Sequence, residues 1–252
     1  MTTNKNTPIL KDLSTKRAPM TSLRKASILA GVLYLLTFVS IPTVALYNSI
    51  HLPGYITGSG SGSDNPVIIG GILEIIVALA GIGTAVVLYP VLRKQNESAA
   101  LGLVAARILE SGTIFVGVAF LLSIVTLHQA GSGADALATS HALVALYDRI
   151  FTLGQSFMPA ICDLLLGFLL YKSRIVPRAL AMIGILGILP LVAGYVAMLF
   201  GLIERNSPMA GLSAVLVALF ELSLGIWLIV KGFNSTTKTQ NPRNEIIQFG
   251  RD

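Results

Sequence analysis

Six uninterrupted apolar runs, each about 20 residues or longer, limit what this chain can become, because at 1.5 Å of rise per residue each one crosses a hydrocarbon layer of roughly 30 Å as a single helix. The runs are Ala26–Tyr47, Val67–Leu92, Ala100–Leu127, Ala142–Tyr171, Val176–Ile203 and Met209–Val230. The chain is 54% hydrophobic and only 12% charged, against about 25% charged in soluble domains. A membrane β-barrel would show segments of about ten residues alternating apolar and polar. Continuous runs instead predict helices, which satisfy their own backbone donors and acceptors within lipid. The expected fold class is therefore an all-α membrane protein, a bundle of six transmembrane helices. Several runs exceed the minimum length, so tilt or projection beyond the hydrocarbon is expected.

The spans and their short connections occupy residues 26–230 and leave no room for a second soluble domain. The flanking segments, residues 1–25 and 231–252, are polar and cannot bury enough apolar surface to fold alone, so disordered tails are expected there. Lys16, Arg17, Arg24 and Lys25 precede the first run in the manner of a secretory signal. The run is too long for one and lacks a small-x-small cleavage site, which favours an uncleaved first span. Of the 18 Lys and Arg, all but three fall on one side if the N-terminus is cytoplasmic. The exceptions are Arg205 in an outer connection and Arg107 and Arg149 within spans. The positive-inside rule then places both termini in the cytoplasm of a multi-pass cell-membrane protein. The net charge of +6 is explained by that rule and by anionic lipid headgroups, and needs no nucleic acid as partner. The outer connections contain "PGYITGSGSGSDNP" and "HQAGSGADALATSH", which read as solvated, flexible loops. Neither continues into a phosphate-binding motif. The single cysteine, Cys162, lies in a span and excludes an intramolecular disulfide.

The runs nevertheless contain ionisable residues: Glu74, Arg107, Glu110, Asp148, Arg149, Asp163 and Glu221. A charge at the bilayer centre costs at least about 2.5–3.5 kcal/mol, so these groups should face the bundle interior and find partners. Asp148 and Arg149 point about 100° apart on a helix and should pair elsewhere. Matching depth predicts two interhelical ion pairs, Glu74 with Arg149 and Arg107 with Asp163, and Arg107 also reaches Glu110 one turn along its own helix. In the fourth span Asp148, Thr152, Gln155, Pro159 and Asp163 form one polar stripe. Gly70, Glu74, Ala78, Gly81 and Ala85 share a face of the second span, and Ala214, Ala218, Glu221 and Gly225 one of the sixth, as close helix packing in lipid favours. Pro42, Pro159 and Pro190 should bend their spans.

Five acids against two arginines leave three negative charges in excess if all ionise, with Glu110 and Glu221 at mid-depth the least compensated. Glu110, Glu221, Asp148 and Gln155 are thus candidates to bind a ligand, proton or ion. The alternative is a scaffold whose buried charges only hold helices together. A metal-dependent intramembrane hydrolase is the third reading, from His51, His128, His141, Asp64 and Asp148 on the outer side. The histidines lack ligand spacing on any one helix, so neither a metal site nor a cofactor is expected. No histidine shares the depth of Ser111 or Ser156, so no catalytic residue is assigned.

Three stretches carry a family resemblance: "YKSRIVPRALAMIGILG" at Tyr171–Gly187, "RKASILAGVLYLLTFVSIP" at Arg24–Pro42 and "YDRIFTLGQSFMPAICDLLLGFLLYKS" at Tyr147–Ser173. They resemble a group of bacterial integral membrane proteins catalogued as domain of unknown function 4386, over about residues 22–233. The resemblance implies a six-span bacterial membrane protein and no known activity. Independently, Lys172, Arg174 and Arg178 bracket Pro177 and suit anchoring to lipid headgroups at the cytoplasmic face.

Overall fold

A computed structural model describes residues 22–56, 63–131 and 134–234, and all regular structure among them is helical. The sequence-derived tails otherwise lie outside the described residues. Helix α1 (Ser22–Thr37) starts before the apolar run, so Arg24 and Lys25 are helical. Arg24 donates to the carbonyls of Leu228, Ile229 and Val230 at the end of the last helix. Cations stabilise a helix C-terminus in this way. Past Thr37 the first span breaks into a 3₁₀ turn at Phe38–Ser40, the short helix α2 (Thr43–Leu46), a second 3₁₀ turn at Asn48–His51 and α3 (Pro53–Ile56). Pro42, which offers no N–H to an α-helical ladder, stands at the break.

The remaining spans are α4 (Asn65–Leu92), α5 (Glu97–Ala130), the fourth span as α6 (Ala134–Phe151), a π-helical turn at Thr152–Phe157 and α7 (Met158–Ser173), then α8 (Arg178–Leu199) and α9 (Pro208–Val230). Six segments are long and apolar enough to cross a membrane. The second outer connection differs from the expected loop. Helix α5 continues to Ala130 and α6 begins at Ala134, so most of "HQAGSGADALATSH" is helical. Asn96 caps α5 by accepting from the Ala99 amide, and Ser207 caps α9 by accepting from that of Ala210. Pro190 lies within continuous α8, whereas Pro159 follows the π turn. The missing N–H of Pro159 leaves the Gln155 carbonyl without its i+4 donor, which favours a widened turn.

The spans form a ring in chain order, closed where α1 packs on α9. A Cβ on Gly31 would meet the Gly225 carbonyl oxygen at 2.6 Å, so that contact is between backbones. Large apolar side chains such as Leu29, Ile72, Leu101 and Leu186 are exposed on the perimeter, the surface that lipid covers. Two larger apolar cores fill the bundle, with smaller clusters around Ile114 and Leu191. One contains Leu88, Leu103, Leu166 and Phe220, nearer the Lys172 end, and the other Tyr47, Leu121, Ile124 and Tyr147, nearer the His51 end. The interior charges lie between them.

Candidate ion- or ligand-binding chamber

Arg107 occupies the centre. It sits on α5, 4% exposed, and carboxyls from three helices surround it. Its Nη1 donates to Glu110 at 3.0 and 3.2 Å. Its Nη2 donates to Glu221 on α9 at 2.8 Å and lies 3.8 Å from Asp163 Oδ1 on α7. The guanidinium carbon also stands 5.9 Å from the centre of the Tyr34 ring of α1. Cys162 donates its thiol hydrogen to Glu110, and the Ser111 hydroxyl donates to the Ala78 carbonyl, tying α5 to α4. Asp163 is completely buried, and neither of its oxygens has a hydrogen bond of good geometry.

A cavity of about 260 Å³ adjoins this cluster. Arg107, Glu110, Glu221 and Gln155 stand on its wall, with Phe38 and Val217 among the apolar side chains around them. The Glu110 and Glu221 side chains are 11% and 16% exposed, while Asp163 behind them is sealed. The sixth-span face containing Ala214, Ala218, Glu221 and Gly225 is therefore divided. Gly225 packs against Tyr34 and Leu35 of α1, whereas Ala214, Ala218 and Glu221 line open space.

Glu74 is buried apart from this cluster, and its expected pairing with Arg149 is not formed. Tyr147 donates to Glu74 at 3.4 Å, and Tyr47, Gln155 and the charge of Arg205 lie near it. The reason is rotation about the helix axis. Tyr147 faces α4, and Arg149, two residues on, points about 200° around the helix. Arg149 is exposed beside a second cavity of about 250 Å³ near Asp148 and Arg205. Asp148 likewise does not reach the central chamber. It sits at the His51 end, 3.1 Å from Arg205 and 3.3 Å from His51. Depth along the helix was a sound guide to height but could not supply direction around the axis.

Arg205 escaped the sequence reading because it falls between spans. Its side chain folds back over Phe151 at 4.6 Å and Tyr147 at 5.3 Å, and is only 17% exposed. As the sole basic residue expected on its side of the membrane, it was the available signal. At the same end Asp64 accepts hydrogen bonds from Tyr55, Gln129 and the His128 ring. Burial raises the pKa of Asp64, but those three donors outweigh it and hold the carboxyl below its ordinary value. Burial and the Asp64 hydrogen bond push the Tyr55 hydroxyl up. Among the described residues no three His, Cys, Asp or Glu side chains form a metal-binding group. At the opposite end Lys172 lies over Phe168, Arg178 over Tyr171, and Arg174 adopts a left-handed conformation capping α7.

The fold and this interior define a multi-pass membrane protein with a buried charge cluster. The family model described as Domain of unknown function (DUF4386) matches residues 29–232, and the chain belongs to that family. No curated protein and no solved structure matches it.

Proposed function

We propose that this chain is a bacterial plasma-membrane protein, with both termini cytoplasmic, that binds a proton or small cation in the chamber around Arg107. The supporting observation is charge imbalance on a cavity wall: one guanidinium is shared by Glu110, Asp163 and Glu221 beside about 260 Å³ of space. Two negative charges are in excess when all three acids ionise, and in a low-dielectric interior a bound proton or cation offsets them. Glu110 and Glu221 are the exchangeable sites because they reach the cavity. Gln155 is a neutral polar group on the same wall that also reaches Glu74, and Asp148 serves the outer end rather than the chamber. Lys172, Arg174 and Arg178 anchor the cytoplasmic face to anionic headgroups.

A scaffold reading has its own support, since Arg107 ties α5, α7 and α9 together. Proton uptake and alkali-cation binding by the protein in nanodiscs separate the two. Glu110→Gln and Glu221→Gln reduce them if the chamber exchanges cations. Unchanged uptake and binding with only a shifted melting temperature establishes the scaffold.

A further inference from the structure

The shape of the chamber bears on which cation it takes and from which side, a step that rests on the reading just given. Every residue on its wall belongs to a membrane-spanning segment and none to a connection. The wall is incomplete where the first span breaks: Phe38–Ser40 and α2 pack on α4, while α9 continues along α8. Ile41, 69% exposed, and Ala218, also exposed, stand on the two sides of that gap. Ala218 lies roughly 15 Å along continuous α9 from Pro208, mid-depth in a hydrocarbon layer of about 30 Å, and Ile41 lines the same cavity. The gap therefore faces acyl chains. Behind it Phe38, Val77, Ile114 and Leu191 give an apolar surface, and the Thr37, Ser40 and Ser111 hydroxyls on the wall donate to backbone carbonyls, before it meets Gln155, Glu221 and Glu110. Both Nη atoms of Arg107 already face carboxyls, and its Nε, which has no partner, is buried, so an anion reaches no guanidinium donor from the cavity.

We propose that the chamber takes a small lipophilic ammonium cation, an amine on a short apolar body. It arrives from the bilayer between Ile41 and Ala218 and seats its charge on Glu221 and Glu110. A volume of about 260 Å³ is just below the roughly 300–1,000 Å³ of ordinary small-molecule pockets, which keeps the apolar body short.

Radiolabelled hexylammonium, hexan-1-ol and hexanoate, equal in chain length, test this with the full chain in nanodiscs and empty nanodiscs as the partitioning control. The expected result is saturable hexylammonium binding above the control and none for the alcohol or the acid. Glu221→Gln should weaken that binding by about thirtyfold or more, as loss of one member of a buried charge pair does. Ala218→Trp and Ile41→Trp, at exposed rim positions, should each slow or weaken it. Absence of saturable hexylammonium binding, or equal binding of hexan-1-ol, overturns the proposal. Binding unchanged in both tryptophan variants overturns the lateral route. Methylammonium binding as tightly as hexylammonium overturns the lipophilic assignment. If Glu221-dependent proton or alkali-cation binding persists while hexylammonium fails, only this inference falls; if that binding is also absent, the chamber reading falls with it.

Discussion

Replacing Arg107 with methionine keeps much of the side-chain length and removes the charge on which three acids converge. Glu110 and Glu221 line the cavity and can be relieved there, but Asp163 is 0% exposed and loses the cation 3.8 Å from it. Removing one member of a buried ion pair costs about 3–5 kcal/mol. At about 2–4 °C per kcal/mol for a chain of this size, the melting temperature should fall by about 6–20 °C. Thermal unfolding in detergent, followed by size-exclusion chromatography of the soluble fraction, measures it. The decisive comparison is a background carrying Glu110→Gln, Asp163→Asn and Glu221→Gln. There the arginine is itself the unpaired charge, so Arg107→Met should be neutral or stabilising. Equal losses in the two backgrounds would mean that the methionine fails for packing reasons and that the cluster is not electrostatically coupled.

Other substitutions probe the surrounding fold. Gly31→Ala drives a methyl group into the Gly225 carbonyl, and because backbone cannot yield as a side chain can, a loss of about 1–3 kcal/mol is expected in the same melting assay. Arg205→Met removes the ion pair to Asp148 and the stacking over Phe151; a loss of about 1–2 kcal/mol is expected, and one below the resolution of the assay would assign Arg205 to a solvated loop. Arg174→Gly relieves the left-handed backbone of that residue, at φ 56°, and should raise stability by about 0.5–1 kcal/mol. Asp64→Asn should lower stability near neutrality and flatten the profile on its acid side. The folded-state pKa of Asp64 is lowered, so its stabilisation is fully present above the unfolded value near about 4 and fades as pH falls through the lower folded value. The gap between wild type and variant in melting temperature should thus be constant near neutrality and close in acid.

The elements readable from the residues alone were those fixed by one-dimensional physics. Apolar run length led to six spans, as many as the helical segments long and apolar enough to cross a membrane, although the fourth helical segment begins at Ala134 rather than Ala142, and the expense of charge in hydrocarbon sent Glu74, Arg107, Glu110 and Asp163 inward. What failed depended on rotation. The stripe from Asp148 to Asp163 assumes an unbroken α-helix, yet the π turn at Thr152–Phe157 changes the register midway. Asp148 turns to Arg205 at one end, while Asp163 faces Arg107 below it. The missing N–H of Pro159 was the clue to that turn. Glu221 was recognised as an uncompensated mid-depth acid, but its 2.8 Å contact with Arg107 depends on α9 closing the ring against α1, a long-range fact that no local pattern encodes.

The composition of the Arg107 cluster favours exchange over simple bracing. A buried ion pair adds little stability relative to apolar packing of the same volume, so bracing alone requires no more than one acid per arginine. Here three acids share one guanidinium, and their exposure is graded: Asp163 is sealed, and Glu110 and Glu221 reach the cavity. Sealing one acid beside Arg107 keeps a positive charge in the interior, and placing the other two at the cavity keeps their neutralisation reversible. A cluster evolved only as glue would gain from filling the space beside Glu221 with an apolar side chain. An Ala218→Leu substitution performs that filling. If the cavity is only a packing defect, the variant gains stability and retains wild-type proton uptake; if the space serves exchange at Glu221, uptake falls while the fold holds.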